Sequence, residues 1–334
     1  MGDFQVTTAL DENDAGATPA DPGGDGLSFR EAVALSNATA GVQSITFESS
    51  LTIALESGLI VTDAADIRGN ATEIDCSPIG GAVNCLTLSV SAGATNLQGV
   101  AFSAARNAAI RITTGGDYTI ADCELVGSGN GIELSTVVTS LTVTRSVISG
   151  NDGDGISAVA GTLSILDNQF FDNANRAIYL GPSANDTRVI GNLIVRGQRG
   201  VVLGNGVTGV IFRHDTFVST TDDALTVGSG HAAEIANCAF AYSGGYGIVA
   251  TNVSIDYRDY NAYYRNVADC SNCDPEQHIV TADPRFASLA VDDYTLAVLS
   301  PLIDAGIDRG EDRNGASGGL FNGLAPDIGY WESP

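Results

Sequence analysis

The stretch that decides the fold is residues 130–180, NGIELSTVVTSLTVTRSVISGNDGDGISAVAGTLSILDNQFFDNANRAIYL. Ile132, Ile156 and Ile178 each follow a small or turn residue, and each begins a short alternating apolar segment. A second apolar segment starts about ten residues later, and a third closes the unit. Three short strands in a unit of about 23 residues leave no room for a helix-containing repeat.

The same unit recurs on both sides of this stretch. Such spacing is typical of a right-handed parallel β-helix, in which each coil stacks on the last at the ~4.8 Å spacing of strands. We therefore predict an all-β protein, a single right-handed parallel β-helix with three short strands per coil. The residues that begin successive units lie 22 to 24 positions apart and are Ile110, Ile132, Ile156, Ile178, Val201, Leu225 and Ile248.

The two ends of the chain break the period, as expected for a solenoid whose terminal coils need polar caps. Residues 1–50 are predicted to form an N-terminal cap with an amphipathic helix, residues 51–261 the β-helix coils, and residues 262–334 an irregular C-terminal cap. Ser28 and Glu31 have the spacing of a capping box at the start of the helix. The apolar residues expected to cover the first coil are Phe29, Ala32, Val33 and Leu35.

Charge excludes several functions. The 334 residues carry 15 basic side chains, all of them arginine, against 40 acidic ones, which gives a net charge of -25. This charge repels phosphate backbones, so we expect no nucleic-acid partner. Without lysine there is no Schiff-base chemistry and no Walker A phosphate site. No apolar run is long enough for a membrane span, and we expect the mature form of an exported protein with Met-Gly added in front.

Four of the six cysteines fall in two close pairs, Cys76 with Cys85 and Cys270 with Cys273. In an exported protein these pairs are interpreted as local disulfides that clamp loops. Zinc is the alternative, although no histidine or second CxxC lies nearby in the sequence. The remaining cysteines are expected to be small buried hydrophobes, namely Cys123 and Cys238.

The turn after the second strand of each unit carries a column of polar residues. We predict that Asn168, Asn192, His214 and Asn237 share this column and hydrogen-bond along it as a ladder. His214 then replaces a ladder asparagine.

A second turn column contains charged residues of both signs. Asp154, Arg176, Arg199 and Asp223 are expected on successive coils, where opposite charges on adjacent rungs form exposed ion pairs. We predict a pair between Arg199 and Asp223, and Asp222 as an ordinary solvated turn residue.

An enzymatic function is an alternative that the sequence leaves open. The segment DDALTVGSG resembles polygalacturonase-type hydrolases through Asp222 and Asp223, with His214 just upstream as a further candidate. The resemblance implies two carboxylates for glycoside hydrolysis. Arg199 stands where that family has its first aspartate, and Tyr246 stands where it has its histidine.

A uronate polysaccharide lyase is the second enzymatic hypothesis. Those β-helix enzymes pair calcium-bound carboxylates with an arginine or lysine base on the outward face of the strands. The charged outward residues of the first strands are Arg111 and Glu133, and adjacent rungs make an ion pair between them the simpler expectation.

Two binding sites are also predicted. The segment DAGIDRGEDRNG offers Asp304, Asp308 and Asp312 for a structural calcium ion, or as turn caps instead. A strip of tyrosines toward the last coil is a candidate for stacking on sugars, or else it plugs that coil. Its members are Tyr246, Tyr260, Tyr263 and Tyr264, next to Tyr257.

The end segments resemble known proteins. FQVTTALDENDAG with LSFREAV resembles the CSLREA-type N-terminal segment of exported bacterial β-helix proteins, with Leu27 at the motif's cysteine and Phe29 at its leucine. DPRF, DDYTLAVLSPLIDAG and PDIGYWE resemble the C-terminal region of β-helix proteins grouped as choice-of-anchor Q. The resemblance implies a bacterial protein at the cell surface or outside the cell.

Taken together, the sequence favours a non-catalytic, adhesin-like scaffold that requires no cofactor and contacts a polysaccharide or cell-surface glycan. A polysaccharide lyase or hydrolase is the alternative, because fold does not fix function. A subunit that stacks end to end in an extracellular assembly is a third possibility.

Overall fold

The computed structural model is an almost all-β parallel solenoid of about ten turns with one α-helix, which confirms the predicted fold class. It separates into two compact units, residues 1–164 with 172–178 and residues 165–171 with 179–334. The structure describes residues 2–14, 16–18, 20–21, 24–229, 233–251, 255–311 and 320–334.

Unit 1 contains the helix and the first fourteen strands. They are β1 (Asp3–Val6), α1 (Phe29–Ala38), β2 (Gln43–Phe47), β3 (Thr52–Ala54), β4 (Leu59–Val61), β5 (Ala65–Asp75), β6 (Leu86–Leu88), β7 (Ala94–Ser103), β8 (Ala108–Ile112), β9 (Asp117–Ala121), β10 (Glu124–Val126), β11 (Asn130–Leu134), β12 (Ser140–Thr144), β13 (Val147–Ser149) and β14 (Ile156–Ala160).

Unit 2 continues the pattern, and the unit boundary falls within β15 (Leu163–Leu166) and β17 (Arg176–Ser183). The other strands are β16 (Gln169–Phe171), β18 (Arg188–Ile190), β19 (Leu193–Gly197), β20 (Arg199–Leu203), β21 (Val210–Arg213), β22 (Thr216–Thr220), β23 (Leu225–Val227), β24 (Ala233–Ala236), β25 (Ala239–Ala241), β26 (Tyr246–Ala250), β27 (Tyr257–Asp259), β28 (Asn261–Tyr264), β29 (Ala268–Ser271), β30 (Ile279–Val280), β31 (Phe286–Ser288) and β32 (Asp293–Leu296).

Parallel pairing puts the residues that begin each repeat in register. In unit 1, Ile132 lies opposite Ile110, and in unit 2, Val201 lies opposite Leu225. Because side chains alternate along a strand, this register sends one apolar column into the interior and the other column outward. The interior of unit 2 contains a stack of three aromatic rings whose centroids lie 4.9 and 5.3 Å apart, formed by Phe217, Phe240 and Tyr263.

The N-terminal helix has the predicted capping box. Ser28 accepts a hydrogen bond from the backbone N–H of Glu31, and the Glu31 carboxylate accepts one from the N–H of Ser28. Phe29, Ala32 and Val33 are buried as expected. The box satisfies N–H groups that the first turn of a helix otherwise leaves unpaired.

The predicted polar ladder exists, but one residue later than expected in its last part. Asn168 donates to Asn192 at 3.1 Å, and Asn192 donates to Asp215 at 2.9 Å. His214 and Asn237 therefore lie outside this column, although they hydrogen-bond to each other across adjacent coils at 3.1 Å. Both have a positive φ, 54° and 57°, because they occupy the left-handed corner position that precedes the ladder position.

The C-terminal region, from Val280 onward, packs on strands of unit 2. It lies along the outward side of unit 2, where Tyr294 and Tyr330 pack on Leu193, Val195 and Val218. Further along, a second cluster joins the region to two strands of this side, and its buried members are Ala239, Ala262, Leu302 and Ile328. The apolar outward residues of these strands are therefore covered by the C-terminal region.

Candidate functional site

One depression on the surface of unit 1 begins at an irregular corner. Strands β5 and β7 pair in register up to Arg68 and Gln98, and pairing resumes at Thr72 and Val100. Three residues of β5 thus face a single residue of β7, so that the corner bulges outward. Glycine is required at position 69 for this close approach, because the Cβ of any other residue would lie 2.1 Å from the carbonyl oxygen of Gly99.

The bulge forms one wall of a groove of about 550 Å³ on the outward face of β5, β7 and β10. Ala101 and Ser103 form its floor, and both are small and half-buried. Glu73 and Glu124 lie opposite Ala101 on the two neighbouring strands, about two strand spacings or ~9.6 Å apart. Both glutamates are exposed.

Asp122 closes the groove at the corner. Its carboxylate accepts hydrogen bonds from Arg145, at 2.8 and 2.9 Å, and from Gln98 at 2.9 Å. The hydrogen bond from Arg145 holds the pKa of Asp122 below its ordinary value, against the opposing effect of partial burial. Asp122 is thus an oriented, ionised anchor whose charge is already compensated.

A second depression of about 360 Å³ lies on the outward face of the preceding strands, on the other side of this corner. Gln98 and Arg145 line it, so the Asp122 cluster separates the two depressions. Its other polar side chains are hydrogen-bonding groups suited to hydroxyl-rich ligands, namely Asp66, Arg68, Asn96, Thr119 and Thr144.

Asp222 and Asp223 do not form a free carboxylate pair. Arg199 pairs with Asp222, with Nε and an Nη each 2.8 Å from Oδ2, whereas Asp223 accepts from the N–H of Tyr246 at 2.9 Å. The predicted Arg199–Asp223 pair is therefore wrong by one residue, and Asp222 is not merely a solvated turn residue. The related pair in unit 1, Arg176 with Asp154 at 2.7 Å, agrees with the expectation.

His214 holds the C-terminal region in place. The side chain is 1% exposed, with Nδ1 3.2 Å from the carbonyl oxygen of Asp327 and Nε2 3.1 Å from Nδ2 of Asn237. The amide nitrogen Nδ2 of Asn237 can only donate, so Nε2 of His214 accepts and its Nδ1 carries the proton. Asn237 also donates to the carbonyl oxygen of Ile307. With both ring nitrogens bonded inside the protein, His214 fits a structural role, and its role as a general base stays a prediction.

Arg111 and Glu133 form the expected ion pair across adjacent rungs, with an Nη–Oε1 distance of 3.7 Å. The guanidinium charge is balanced by its neighbour. No third carboxylate joins these two, because the next outward residue on the described strands is Ser157. The pair therefore lacks the group of neighbouring carboxylates that the hypothesis of a lyase requires.

The tyrosines pack on one another and on the protein. Tyr263 is 1% exposed and stacks on Phe240, so its ring is not available to a sugar and fits the alternative that it plugs the coil. Tyr260 stacks on the His278 ring at a centroid distance of 4.3 Å. Tyr264 meets Tyr242 edge to face at 5.4 Å. Of the predicted strip, Tyr246, which is half-buried, remains as a candidate without a ring partner among the described residues.

Two of the predicted calcium ligands hydrogen-bond to backbone N–H groups, and the calcium site itself stays a prediction. Asp304 accepts hydrogen bonds from the N–H groups of Leu324 and Ala325, at 2.6 and 3.2 Å, and Asp308 accepts from the N–H of Gly310 at 2.8 Å. Asp312 lies outside the described residues. In the part of the chain that the structure describes, no group of three or more His, Cys, Asp or Glu residues is arranged to hold a metal.

Both predicted disulfides are present, Cys76–Cys85 and Cys270–Cys273, with Cα–Cα distances of 5.7 and 5.9 Å. Cys123 and Cys238 are buried free thiols, as expected. Burial raises the pKa of Cys123 to about 11, so this thiol is protonated at neutral pH and unreactive.

The sequence did not reveal a buried acid at the end of the aromatic stack. Glu276 has a side chain that is 1% exposed, and its Oε1 accepts from Asn261 at 2.6 Å and from the hydroxyl of Tyr263 at 3.2 Å. Arg258 lies 3.5 Å from the same oxygen. Burial raises the pKa of Glu276. The acid lies past the last clear repeat, where periodicity gives no register.

The groove residues were also missed, although a signal exists. Glu73 in ATEID and Glu124 in CELV occupy outward positions of third strands, which an alignment of that strand across coils would place together. The bulge at residues 69–71 disrupts the upstream period, and it conceals the alignment.

Comparisons with known proteins agree with this architecture. A family model described as "Right handed beta helix region" matches residues 86–240. No curated protein sequence gives a significant match. In the described ranges, no helix is both long and apolar enough to cross a membrane.

Several solved structures resemble the chain. A crystal structure of the pectate lyase Pel9A matches with a TM-score of 0.72 and 13% identity, covering 100% of this chain and 97% of that one. The Dettilon tailspike protein matches with a TM-score of 0.50 and 10% identity, covering 77% of this chain and 65% of that one. Identities this low establish the parallel β-helix fold alone.

Proposed function

We propose that the protein is an extracellular or cell-surface β-helix protein that binds a polysaccharide in the groove of unit 1 without cleaving it. The observation that carries the proposal is the groove itself, a depression of about 550 Å³ with a floor of small residues, Ala101 and Ser103, and with carboxylates on its lining. Ligand-binding sites are usually concave and have a few convergent polar groups. The two disulfides support an oxidising, extracellular compartment.

The pectate lyase and the tailspike protein share the fold, and the name of the first states that it acts on pectate. That name supports a polysaccharide as the ligand class. Three observations argue against hydrolysis at the predicted catalytic residues. Asp222 pairs with Arg199, Asp223 accepts a hydrogen bond from the N–H of Tyr246, and His214 is buried.

A glycan array tests the proposal. The wild type should bind a defined set of polysaccharides, and Ala101→Phe, which fills the floor of the groove, should weaken that binding at least about tenfold. Ser157→Phe is the matched control, because Ser157 is an outward, half-buried residue on a first strand of the same unit. Binding that survives Ala101→Phe but is lost on Tyr246→Ala would move the site to the tyrosines.

An inverting glycoside hydrolase is a second candidate, favoured by one observation. Glu73 and Glu124 lie in register on either side of Ala101, so their backbones are two strand spacings or ~9.6 Å apart. Two flexible side chains anchored at that spacing can bring their carboxyl groups to the ~6.5–9.5 Å separation of inverting enzymes. Both side chains are exposed, whereas a general acid is usually held in an apolar pocket. Release of reducing ends that stops in both Glu73→Gln and Glu124→Gln would establish hydrolysis, and no release over days would leave binding alone.

A further inference from the structure

We infer that the groove selects polysaccharides that carry free amino groups, such as polymers of de-N-acetylated hexosamines. This inference rests on the proposed function, and it names the class of ligand for the same groove. It differs from the ligand that the pectate lyase match suggests, because pectate is a polyanion.

The charge of the lining carries the first step. Three carboxylates line the groove, and no basic side chain is among the described residues that do so. Asp122 is compensated by Arg145. Glu73 has only the hydroxyl of Ser103, 3.5 Å away, and Glu124 has no hydrogen-bond or ion-pair partner among the described residues. Two negative charges in the groove are therefore available to a ligand.

The position of these two charges carries the second step. Glu73 and Glu124 occupy one outward column with Ala101 between them, so a chain lying along the floor would pass both. An ionised carboxylate only accepts hydrogen bonds, and an ammonium group only donates them. Charge-assisted bonds between the two are shorter and stronger than bonds to neutral hydroxyls.

The field of the whole protein carries the third step. The net charge of -25, with no lysine in the chain, gives a negative potential that attracts cationic chains and repels polyanions during encounter. A uronate polymer would bring further carboxylates against Glu73 and Glu124. A neutral polymer would leave their charges uncompensated.

Isothermal titration tests the inference with three oligosaccharides of equal length: glucosamine, N-acetylglucosamine and galacturonate hexamers. The measurement is made at mildly acidic pH, where the amines of the ligand are protonated, and at low and high ionic strength. The proteins are the wild type, Glu73→Gln/Glu124→Gln and a control, Glu56→Gln/Asp256→Asn. The control removes two exposed acids that do not line the groove.

We expect the glucosamine hexamer to bind the wild type at least about tenfold more tightly than the other two, with an affinity that falls as salt rises. The groove variant should lose that preference, and the control should keep it. Equal binding of the acetylated hexamer, or an unchanged preference in Glu73→Gln/Glu124→Gln, would overturn the inference while leaving polysaccharide binding intact. If Ala101→Phe also changes no binding on the array, the proposed function itself fails.

Discussion

At the scale of single residues, the structure separates side chains that stabilise the fold from those free to meet a ligand. His214 is an example of the first kind. Its spacing near Asp222 suggested acid–base chemistry, yet its ring joins the carbonyl oxygen of Asp327 to the amide of Asn237. The Asp327 contact spans 113 residues of sequence, so no local pattern could predict it.

Replacing His214 with alanine should therefore reduce stability rather than abolish a reaction. The substitution leaves a cavity and two buried polar partners without their bonds, so we expect a loss of about 2–4 kcal/mol in the free energy of unfolding. Denaturant unfolding measures it, with His278→Ala as a control because that side chain is 54% exposed. Unchanged stability in His214→Ala would contradict the anchoring role.

Glu276 gives a prediction about pH. Its folded-state pKa is raised above 4.5 by burial, with Arg258 and Asp259 as the charged groups nearby. Between the unfolded and folded pKa values the folded state binds more protons, so this group makes stability fall as the pH rises through that window. Unfolding of Glu276→Gln, followed from pH 4 upward, should lack this component, and Asp256→Asn should retain it. Parallel profiles for wild type and Glu276→Gln would contradict the assignment.

At the scale of elements, repeat spacing predicts backbone register better than side-chain partners. The spacing placed Arg111 beside Glu133, and the ion pair followed because only one acid lies within reach. Arg199 has two adjacent acids within reach. Its backbone is in register with Asp223, but its long side chain pairs with Asp222. The polar ladder shifted by one residue for a related reason, since the corner residue before it takes a left-handed conformation.

The bulge in β5 is the element on which the groove depends. Gly69→Ala would place a Cβ 2.1 Å from the carbonyl oxygen of Gly99, so the corner must shift. We expect a loss of about 1–3 kcal/mol in stability together with weaker glycan binding. Gly80→Ala is the matched control in the same unit, because a Cβ there meets nothing within 4 Å. Thermal unfolding and array binding check both effects, and a silent Gly69→Ala would contradict the account of the wall.

At the scale of the whole molecule, the two units differ in what lies on their outward faces. In unit 2 the C-terminal region covers apolar residues such as Leu193 and Val218. In unit 1 the outward residues of β5, β7 and β10 include small and acidic side chains such as Ala101 and Glu73, and these residues line the open groove. The repeat spacing in the sequence predicted the coils, and the composition gave the negative charge. The sequence could not show where the C-terminal region packs, because that region has no repeat from which its neighbours could be aligned.

A crystal structure of the protein with the tightest ligand from the array tests the central claim most directly. The account predicts sugar density over Ala101 in the groove of unit 1, with a ligand donor within hydrogen-bonding distance of Glu73 or Glu124. Density over Tyr246, or at any site outside the groove while the groove stays empty, would contradict it.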